Sequence, residues 1–226
     1  MQTYPLERHD EILLPHVDAY METLWKTTVN QSEAHFIKQA QIAGVPSVRP
    51  DVARFLTFMT AALRPKRILE IGTGAGYSTY AMLQGAGSSL ETLLSIESNP
   101  QRFALAQTLL HGTPHSEKLD LRCGKALDVI ATLNGDPFDF VFIDAIKRDY
   151  PRYFHVLPCT PHAVIVFDNM LFRGMVAKEK AELPTRYHQG VSEIAEFTQF
   201  LTHHAAYTTT LLPIGDGMIL ARRREL

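Results

Sequence analysis

A strand pattern that runs straight into a glycine-rich turn constrains this chain more than any other feature. The segment Arg67–Ile71 is followed by Gly72, Gly74 and Gly76, and a helical pattern starts at Ser78. Glycine lets the backbone turn tightly and lets a ligand approach the bare main chain. The stretch therefore predicts a strand, a ligand-binding turn and a helix, which together form the first unit of an α/β sheet.

An acidic residue at the end of the next strand pattern narrows the class of ligand. Glu97 ends the segment Thr92–Glu97, at about the 20-residue spacing where a carboxylate accepts both hydroxyls of a ribose. A dinucleotide fingerprint has the order G-x-G-x-x-G, but Tyr77 stands at its sixth position and is too large for close helix–strand contact. The pattern therefore favours a nucleoside site, with an ordinary strand–helix turn as the alternative.

The rest of the chain alternates between strand and helix patterns. Further strands are predicted at Leu119–Cys123, Phe138–Asp144 and Ala163–Asp168, with helices at Ser78–Leu83, Pro100–Leu110, Ala126–Leu133 and Tyr150–Leu157. This alternation predicts right-handed crossovers and a mainly parallel sheet that binds ligands at its carboxyl edge. Two last strands, Ala206–Ile214 and Met218–Arg222, flank an Asp-Gly turn and predict an antiparallel hairpin.

The N-terminal part is helical in pattern. Apolar residues recur at helical spacing over residues 7–43, and a second helix starts at Pro50 and ends before Pro65. No linker or repeat interrupts the chain. We therefore predict a single domain over residues 1–226, with a helical part over 1–64 and an α/β core over 65–226.

Composition excludes several classes of protein. The chain has 226 residues, of which 46% are hydrophobic and 20% charged, values typical of a globular protein. It has no apolar run near the roughly 20 residues of a membrane span. Its first ten residues lack the pattern of a secretion signal, and its two cysteines form no metal-type pair. We expect a cytoplasmic protein. The net charge of −2 argues against nucleic-acid binding through bulk charge, but allows a local basic patch.

Polar side chains follow two of the predicted buried strands. Asp144 ends one strand pattern, and Asp168 and Asn169 end the next. If both strands reach the same edge of the sheet, these side chains converge as oxygen ligands suited to Mg²⁺, with Mn²⁺ or Ca²⁺ also possible. Taken singly, each of these residues is better explained as a helix cap or turn former.

Four segments in a fixed order resemble the divalent-metal-dependent O-methyltransferases, which include the catechol and caffeoyl-coenzyme A enzymes. They are Leu69–Ser78, Phe142–Lys147, Asp168–Gly174 and Leu212–Gly217. The resemblance implies a class I methyltransferase Rossmann-like fold. This fold has a mainly parallel seven-stranded sheet, a C-terminal antiparallel hairpin and N-terminal helices. It also implies a homodimer.

The resemblance implies S-adenosylmethionine as the methyl donor and assigns residues to its site. Gly72 and Ser78 match contacts to the methionine part, Glu97 matches the ribose ligand, and Val48 lines the site from the N-terminal side. The remaining cofactor contacts expected are Glu70, Gly74, Tyr77, Gly124, Lys125, Ala126 and Asp144. Lys125 stands where many relatives have Asp.

The same resemblance places the metal and the catalytic groups. Asp144, Asp168 and Asn169 match the metal ligands, and Lys147 together with Asp144 matches the catalytic residues. Because a phenol-type hydroxyl titrates near 10, chelation by a cation would help it ionise at neutral pH. The acceptor should therefore carry two adjacent oxygens. Ile146 stands where the catechol enzyme has Trp, which argues against a flat aromatic clamp of that kind.

The acceptor stays open between two candidates. The segments 171–176 and 204–217 resemble a bacterial subgroup that methylates 5-hydroxyuridine in tRNA, whereas a small catechol-like or phenolic molecule is the alternative. A basic rim would serve tRNA phosphates and comprises Lys147, Arg148, Arg152, Arg173, Lys178, Lys180 and Arg186. The same charges also read as an ordinary solvated surface.

Two other classes fit less well. An NAD(P)-dependent oxidoreductase would share the glycine turn and the acidic residue, but Tyr77 and the lack of a Tyr-x-x-x-Lys pair argue against it. A non-catalytic relative would be expected to have lost Asp144, Lys147 or Asp168, and all three are present.

Overall fold

Three helices precede the sheet in the computed structural model, which describes residues 15–224. They are α1 (Pro15–Thr28), α2 (Gln31–Ala43) and α3 (Pro50–Leu63). The structure breaks the predicted 7–43 span at Asn30, whose side chain caps α2 reciprocally with Glu33. Residues 7–14 of that span lie outside the described residues.

Seven strands form one sheet. They are β1 (Arg67–Ile71), β2 (Thr92–Glu97), β3 (Leu119–Cys123), β4 (Phe138–Ile143), β5 (Cys159–Phe167), β6 (Tyr207–Leu212) and β7 (Met218–Arg223). Their order is β3-β2-β1-β4-β5-β7-β6, with β1 to β5 parallel and β7 antiparallel to both of its neighbours. This confirms the mainly parallel sheet and the closing hairpin.

Five longer helices follow or connect the strands. They are α4 (Tyr77–Ala86), α5 (Pro100–Leu110), α6 (Ala126–Ala131), α7 (Tyr150–Val156) and α8 (His188–Thr202). Helix α8 was not among the predicted helices, although its buried residues Val191, Ile194, Phe197 and Leu201 recur at helical spacing. Within residues 15–224, no helix is long and apolar enough to cross a membrane.

The core lies on both faces of the sheet. Along β4, Phe140 and Phe142 face the side covered by α3 and α4, whereas Val141 and Ile143 face the side covered by α7 and α8. All four side chains are buried. Strands buried on both faces read as continuous apolar runs. The rigid centre of the sheet thus fixes where β1, β4 and β5 end.

Candidate active site

The turn after β1 is in direct contact with the end of β4. Gly72 has φ of +99°, and a Cβ atom placed there would lie 2.0 Å from the carbonyl oxygen of Asp144. Gly74 also has positive φ, and a Cβ atom there would lie 3.2 Å from the carbonyl oxygen of Pro46. Only glycine allows the backbone at position 72 to come this close to Asp144. The turn is therefore held between β4 and the segment after α2.

Glu97 at the end of β2 is bonded through both carboxylate oxygens. Its Oε2 accepts the Gly74 N–H at 2.9 Å, and its Oε1 accepts the Asn99 N–H at 2.8 Å. An ionised carboxylate has about four lone-pair sites, so each oxygen keeps acceptor capacity. The two backbone bonds fix the orientation of this carboxylate at the wall of a cleft.

Glu70 lies behind the turn in a buried network of hydroxyl groups. Its carboxylate accepts hydrogen bonds from Ser78 at 2.5 Å, from Ser95 at 2.5 Å and from Thr79. Burial raises the pKa of Glu70 to about 7, while the three hydroxyl bonds act to lower it. Glu70 was expected to contact the cofactor, but it is fully buried and does not line the cleft. Its contact with the site is through Ser78, which it positions.

Tyr77 also differs from the expectation. Its side chain is buried in the core beside the ring of Phe36, with the ring centroids 6.3 Å apart, and it does not line the cleft. The reason is that α4 is buried on nearly every side, Gln84 and Gly85 being its half-buried positions. A large residue directly after the glycine turn therefore packs inward.

A cleft of about 990 Å³ opens at the carboxyl edge of the sheet. Every residue predicted for the cofactor site except Glu70 and Tyr77 lines it, namely Val48, Gly72, Gly74, Ser78, Glu97, Gly124, Lys125, Ala126 and Asp144. The lining also includes Arg102, Asp128, Asp149 and Tyr153, which the sequence analysis did not single out. Arg102, Asp128 and Tyr153 lie in the first turns of the helices that leave this edge, and Asp149 directly precedes α7. Their position at helix starts is the signal that was missed.

The predicted metal ligands meet beside this cleft. The Asn169 amide nitrogen lies 2.9 Å from Asp144 Oδ1, and the Asn169 N–H donates to Asp168 Oδ1 at 2.7 Å. Asp144 is half-buried and lines the cleft, whereas Asp168 is buried. Asp144 therefore belongs both to the cleft and to the cluster of oxygen donors.

The electrostatics of this cluster suit a cation. Burial raises the pKa of Asp168 well above its usual range, and the nearby charge of Asp144 raises it further. Among the described residues, no three His, Cys, Asp or Glu side chains gather as a metal-type group. The third donor here is instead the amide of Asn169. Two carboxylates and an amide are hard oxygen donors of the kind Mg²⁺ prefers.

Lys147 lies at the same cluster. Its Nζ is 3.1 Å from Asp144 Oδ1 and 5.5 Å from the centre of the Tyr150 ring. The short 3₁₀ helix Lys147–Asp149 brings the ammonium back over the strand end. The predicted catalytic lysine is therefore held against a predicted metal ligand.

The loop after β5 has an unusual backbone. Asn169, Phe172 and Arg173 all have positive φ, of 60°, 44° and 57°. The tip of the β6–β7 hairpin holds this loop. The Met170 N–H donates to the Gly217 carbonyl at 2.8 Å, and the Leu171 N–H donates to the Asp216 carbonyl at 2.9 Å. The hairpin thus fixes the backbone next to Asp168.

Comparison with known proteins identifies the kind of molecule. A family model described as O-methyltransferase matches residues 17–224. A catechol O-methyltransferase from Niastella koreensis is 34% identical over 191 residues, covering 79% of this chain and 84% of the relative. A caffeoyl-CoA O-methyltransferase from Eucalyptus gunnii is 27% identical over 237 residues, covering 97% and 94%.

A solved O-methyltransferase structure is also similar to this chain. The O-methyltransferase from Bacillus cereus, in complex with SAH, superposes with a TM-score of 0.79 at 25% identity. The match covers 92% of this chain and 97% of that one.

Proposed function

The chain belongs to the O-methyltransferase family, and we propose that it methylates a hydroxyl that lies beside a second oxygen, using a divalent cation held by Asp144, Asp168 and Asn169. One observation carries the proposal. The backbone of Asp144 touches the Gly72 turn, and its carboxylate contacts Asn169 and Lys147. A single residue thus joins the two sites whose ligands must meet for methyl transfer.

The enzyme uses S-adenosylmethionine, and has the class I methyltransferase fold. We assign the methionine part of the donor to Gly72 and Ser78, and its ribose to Glu97. Both oxygens of Glu97 are fixed by backbone N–H groups and keep acceptor capacity. Gly124, Lys125 and Ala126 line the cleft beyond Glu97 and are assigned to the adenine. Lys125 cannot accept a hydrogen bond from an adenine amine as Asp would.

The donor set of the proposed cation site fits Mg²⁺, with Mn²⁺ or Ca²⁺ as alternatives. Asn169 would present its amide oxygen in place of the amide nitrogen that now faces Asp144, which requires only rotation of the amide group. The two acceptor oxygens would chelate a divalent cation held there, which would lower the pKa of the reacting hydroxyl. It would also relieve the repulsion between Asp144 and Asp168.

Lys147 is proposed to assist the reacting oxygen. Methyl transfer is an in-line displacement in which the new C–O bond forms as the S–C bond of the sulfonium breaks, leaving a neutral thioether, and the hydroxyl has released its proton to solvent. The Lys147 ammonium, paired with Asp144 at 3.1 Å, suits stabilisation of the oxyanion. Acceptance of the proton by Lys147 is the alternative. Either role predicts that Lys147→Ala keeps donor binding and loses rate.

A catechol-like small molecule is the first candidate acceptor. The relatives include enzymes named for catechol and for caffeoyl-CoA, and a vicinal diol satisfies the chelation requirement. Ile146 stands at the cleft mouth with 59% of its surface exposed and offers an apolar surface to a ring. Hydroxylated tRNA stays the second candidate, because Arg148 and Arg152 of the predicted basic rim line the cleft.

An acceptor panel tests the proposal. Purified protein, S-adenosylmethionine and Mg²⁺ would be incubated separately with a catechol, with a phenol that has one hydroxyl, and with total tRNA, and products would be read by mass spectrometry. We expect methylation of the catechol and none of the monophenol. Methylated nucleoside from tRNA, with no product from catechol, would select the second candidate. Equal methylation of catechol and monophenol would contradict the chelation model.

We also propose a cytoplasmic homodimer. Helix α1 presents Tyr20 with 64% and Leu24 with 46% of their surfaces exposed. The apolar residues Leu13 and Leu14, shortly before α1, lie outside the described residues. Burial of such apolar surface between two copies is favourable. Light scattering at micromolar concentration should give twice the monomer mass of 25.4 kDa. A monomer mass would contradict the dimer.

A further inference from the structure

We infer that Tyr150 is a positioning residue for this reaction, because it joins the two strand ends that carry Asp144 and Asp168 and also supports Lys147. The inference rests on the proposed function, in which these three side chains act on the acceptor. Tyr150 itself does not line the cleft, so it acts only through its neighbours.

The hydroxyl of Tyr150 lies between two backbone carbonyls at the carboxyl edge. It is 3.0 Å from the carbonyl oxygen of Asp168 and 3.3 Å from that of Ile143. Ile143 is the last residue of β4, directly before Asp144. The Asp168 N–H also donates to the Ile143 carbonyl, at 2.9 Å. One hydroxyl therefore connects the backbones that carry both carboxylates.

The ring of Tyr150 supports the third group. Lys147 Nζ lies 5.5 Å from the ring centre and 3.1 Å from Asp144 Oδ1. An ammonium within about 6 Å of an aromatic ring is attracted to its face. The ammonium of Lys147 is thus held by the ring on one side and by the carboxylate on the other.

The rotamer of Tyr150 is fixed by its surroundings. The residue is 1% exposed, and its ring lies 5.3 Å from the ring of Phe167 and 6.1 Å from that of Phe197. Phe167 is the last residue of β5, and Phe197 lies on α8. A purely space-filling role would be served equally well by phenylalanine. The difference between the two residues is the hydroxyl, and the hydroxyl is directed at the strand ends.

Tyr150→Phe tests this inference because it keeps the ring and the contact with Lys147 and removes only the hydroxyl. We expect S-adenosylmethionine affinity within about two-fold of wild type, since the Glu97 half of the cleft is untouched. Removal of a group that orients metal ligands should weaken Mn²⁺ binding, measured by calorimetry, about 10-fold. The kcat should fall by a similar factor, with a smaller change in the KM of the acceptor. Tyr150→Leu, which also removes the ring, should lower kcat further.

Tyr207→Phe is the matched control. Tyr207 is partly buried and packs against the same core cluster, but it pairs with Arg223 at the far end of β7. Because the Tyr150 hydroxyl is buried and bonded to two carbonyls, Tyr150→Phe should lower the melting temperature more than Tyr207→Phe whatever its role. A merely structural role for Tyr150 predicts unchanged Mn²⁺ affinity and kcat in both variants. Wild-type Mn²⁺ affinity and kcat in Tyr150→Phe would overturn this inference alone. Failure of the wild-type protein to bind Mn²⁺ would contradict the proposed function as well.

Discussion

The carboxyl edge of the sheet has two halves that stabilise buried carboxylates differently. The donor half, with Glu70 and Glu97, is assigned to the methyl donor, and the acceptor half, with Asp144 and Asp168, is assigned to the cation and the acceptor. In the donor half, three hydroxyl groups bond the buried carboxylate of Glu70, whose pKa burial still raises to about 7, and two backbone N–H groups bond that of Glu97. In the acceptor half, Asp168 is buried beside Asp144 with one backbone N–H bonded to it, and its pKa is raised by burial and by that neighbour. The chain by itself completes the donor half, whereas a cation would complete the acceptor half.

The two halves also differ in which residues have a positive φ. Positive φ in the donor half falls on Gly72, Gly74 and Gly76, where it costs little. In the acceptor half it falls on Gly174 and also on Asn169, Phe172 and Arg173, and at Phe172 and Arg173 it costs about 1–2 kcal/mol each. The hairpin tip holds this loop against that cost. We therefore expect changes in the two halves to separate donor binding from turnover.

Asp168→Ala should have the largest effect and should be confined to the acceptor half. Loss of a proposed cation ligand should lower kcat by at least about 1,000-fold, since the cation supplies several kcal/mol of stabilisation. Calorimetry should find S-adenosylmethionine affinity within about three-fold of wild type. Glu91→Ala is the control, because Glu91 is an exposed carboxylate paired with Lys66 before β2. A similar loss of donor affinity and of rate in Asp168→Ala would break the separation of the halves.

Gly72→Ala should disrupt the one contact that the halves share. A methyl group would lie 2.0 Å from the Asp144 carbonyl oxygen at a φ of +99°, so the turn must shift. Strain of about 3 kcal/mol corresponds to a loss of roughly 100-fold in donor affinity. The control is Gly112→Ala, because Gly112 also has positive φ but has nothing within 4 Å of the added atom. Equal donor affinity in the two variants, measured by calorimetry, would show that the close approach does not matter.

Glu70→Gln should change how stability depends on pH. The pKa of Glu70 is raised to about 7 in the folded protein from an ordinary 4.5, so the folded state keeps a proton that the unfolded chain has released. Its contribution to stability is present at low pH and is lost as the pH rises between these values, by up to about 3 kcal/mol. Between pH 5 and pH 8, the free energy of unfolding measured in urea should fall more for wild type than for Glu70→Gln. Parallel curves would contradict the buried, ionisable state of Glu70.

Glu97→Ala should have the smallest effect and should be confined to the donor half. It removes a charged acceptor whose hydrogen bonds are worth about 1.5–3 kcal/mol, so donor affinity should fall about 10-fold or more. At saturating donor, kcat should stay within about three-fold of wild type. Unchanged affinity in calorimetry would mean that the ribose lies elsewhere in the cleft.

The sequence predicted the scaffold of both halves because the strands that position them are buried. Strands β1 and β2 have the predicted bounds, since they are buried and largely apolar. Strand β3 also has the predicted bounds, although it is only partly buried and alternates leucine with charged residues. Strand β5 starts at Cys159. It was predicted to start only at Ala163, because Pro161 and His162 interrupt the apolar run before that residue. Periodicity cannot identify such an extension, which depends on pairing of Phe138 with Cys159.

Properties that depend on packing were harder to predict. Tyr77 was expected at the cofactor but is in the core, because α4 is buried on nearly every side. No local pattern in the sequence shows this burial. Cys123 is exposed at the end of a predicted strand, because β3 is the edge strand of the sheet. The proximity of Asp144 to Asp168 and Asn169 followed from the order of the strands. The backbone of the loop at 169–173 depends on its contacts with the hairpin.

The dependence of methyl transfer on a divalent cation tests the central claim most directly. Catechol methylation and S-adenosylmethionine binding would be measured on the same wild-type protein in chelator, and again after addition of Mg²⁺ or Mn²⁺. We expect chelator to abolish methylation and leave donor binding within about two-fold, because the donor half is complete without a cation. Added cation should restore the rate. Full methylation in chelator would contradict the claim and would leave Asp144, Asp168 and Asn169 with structural roles only.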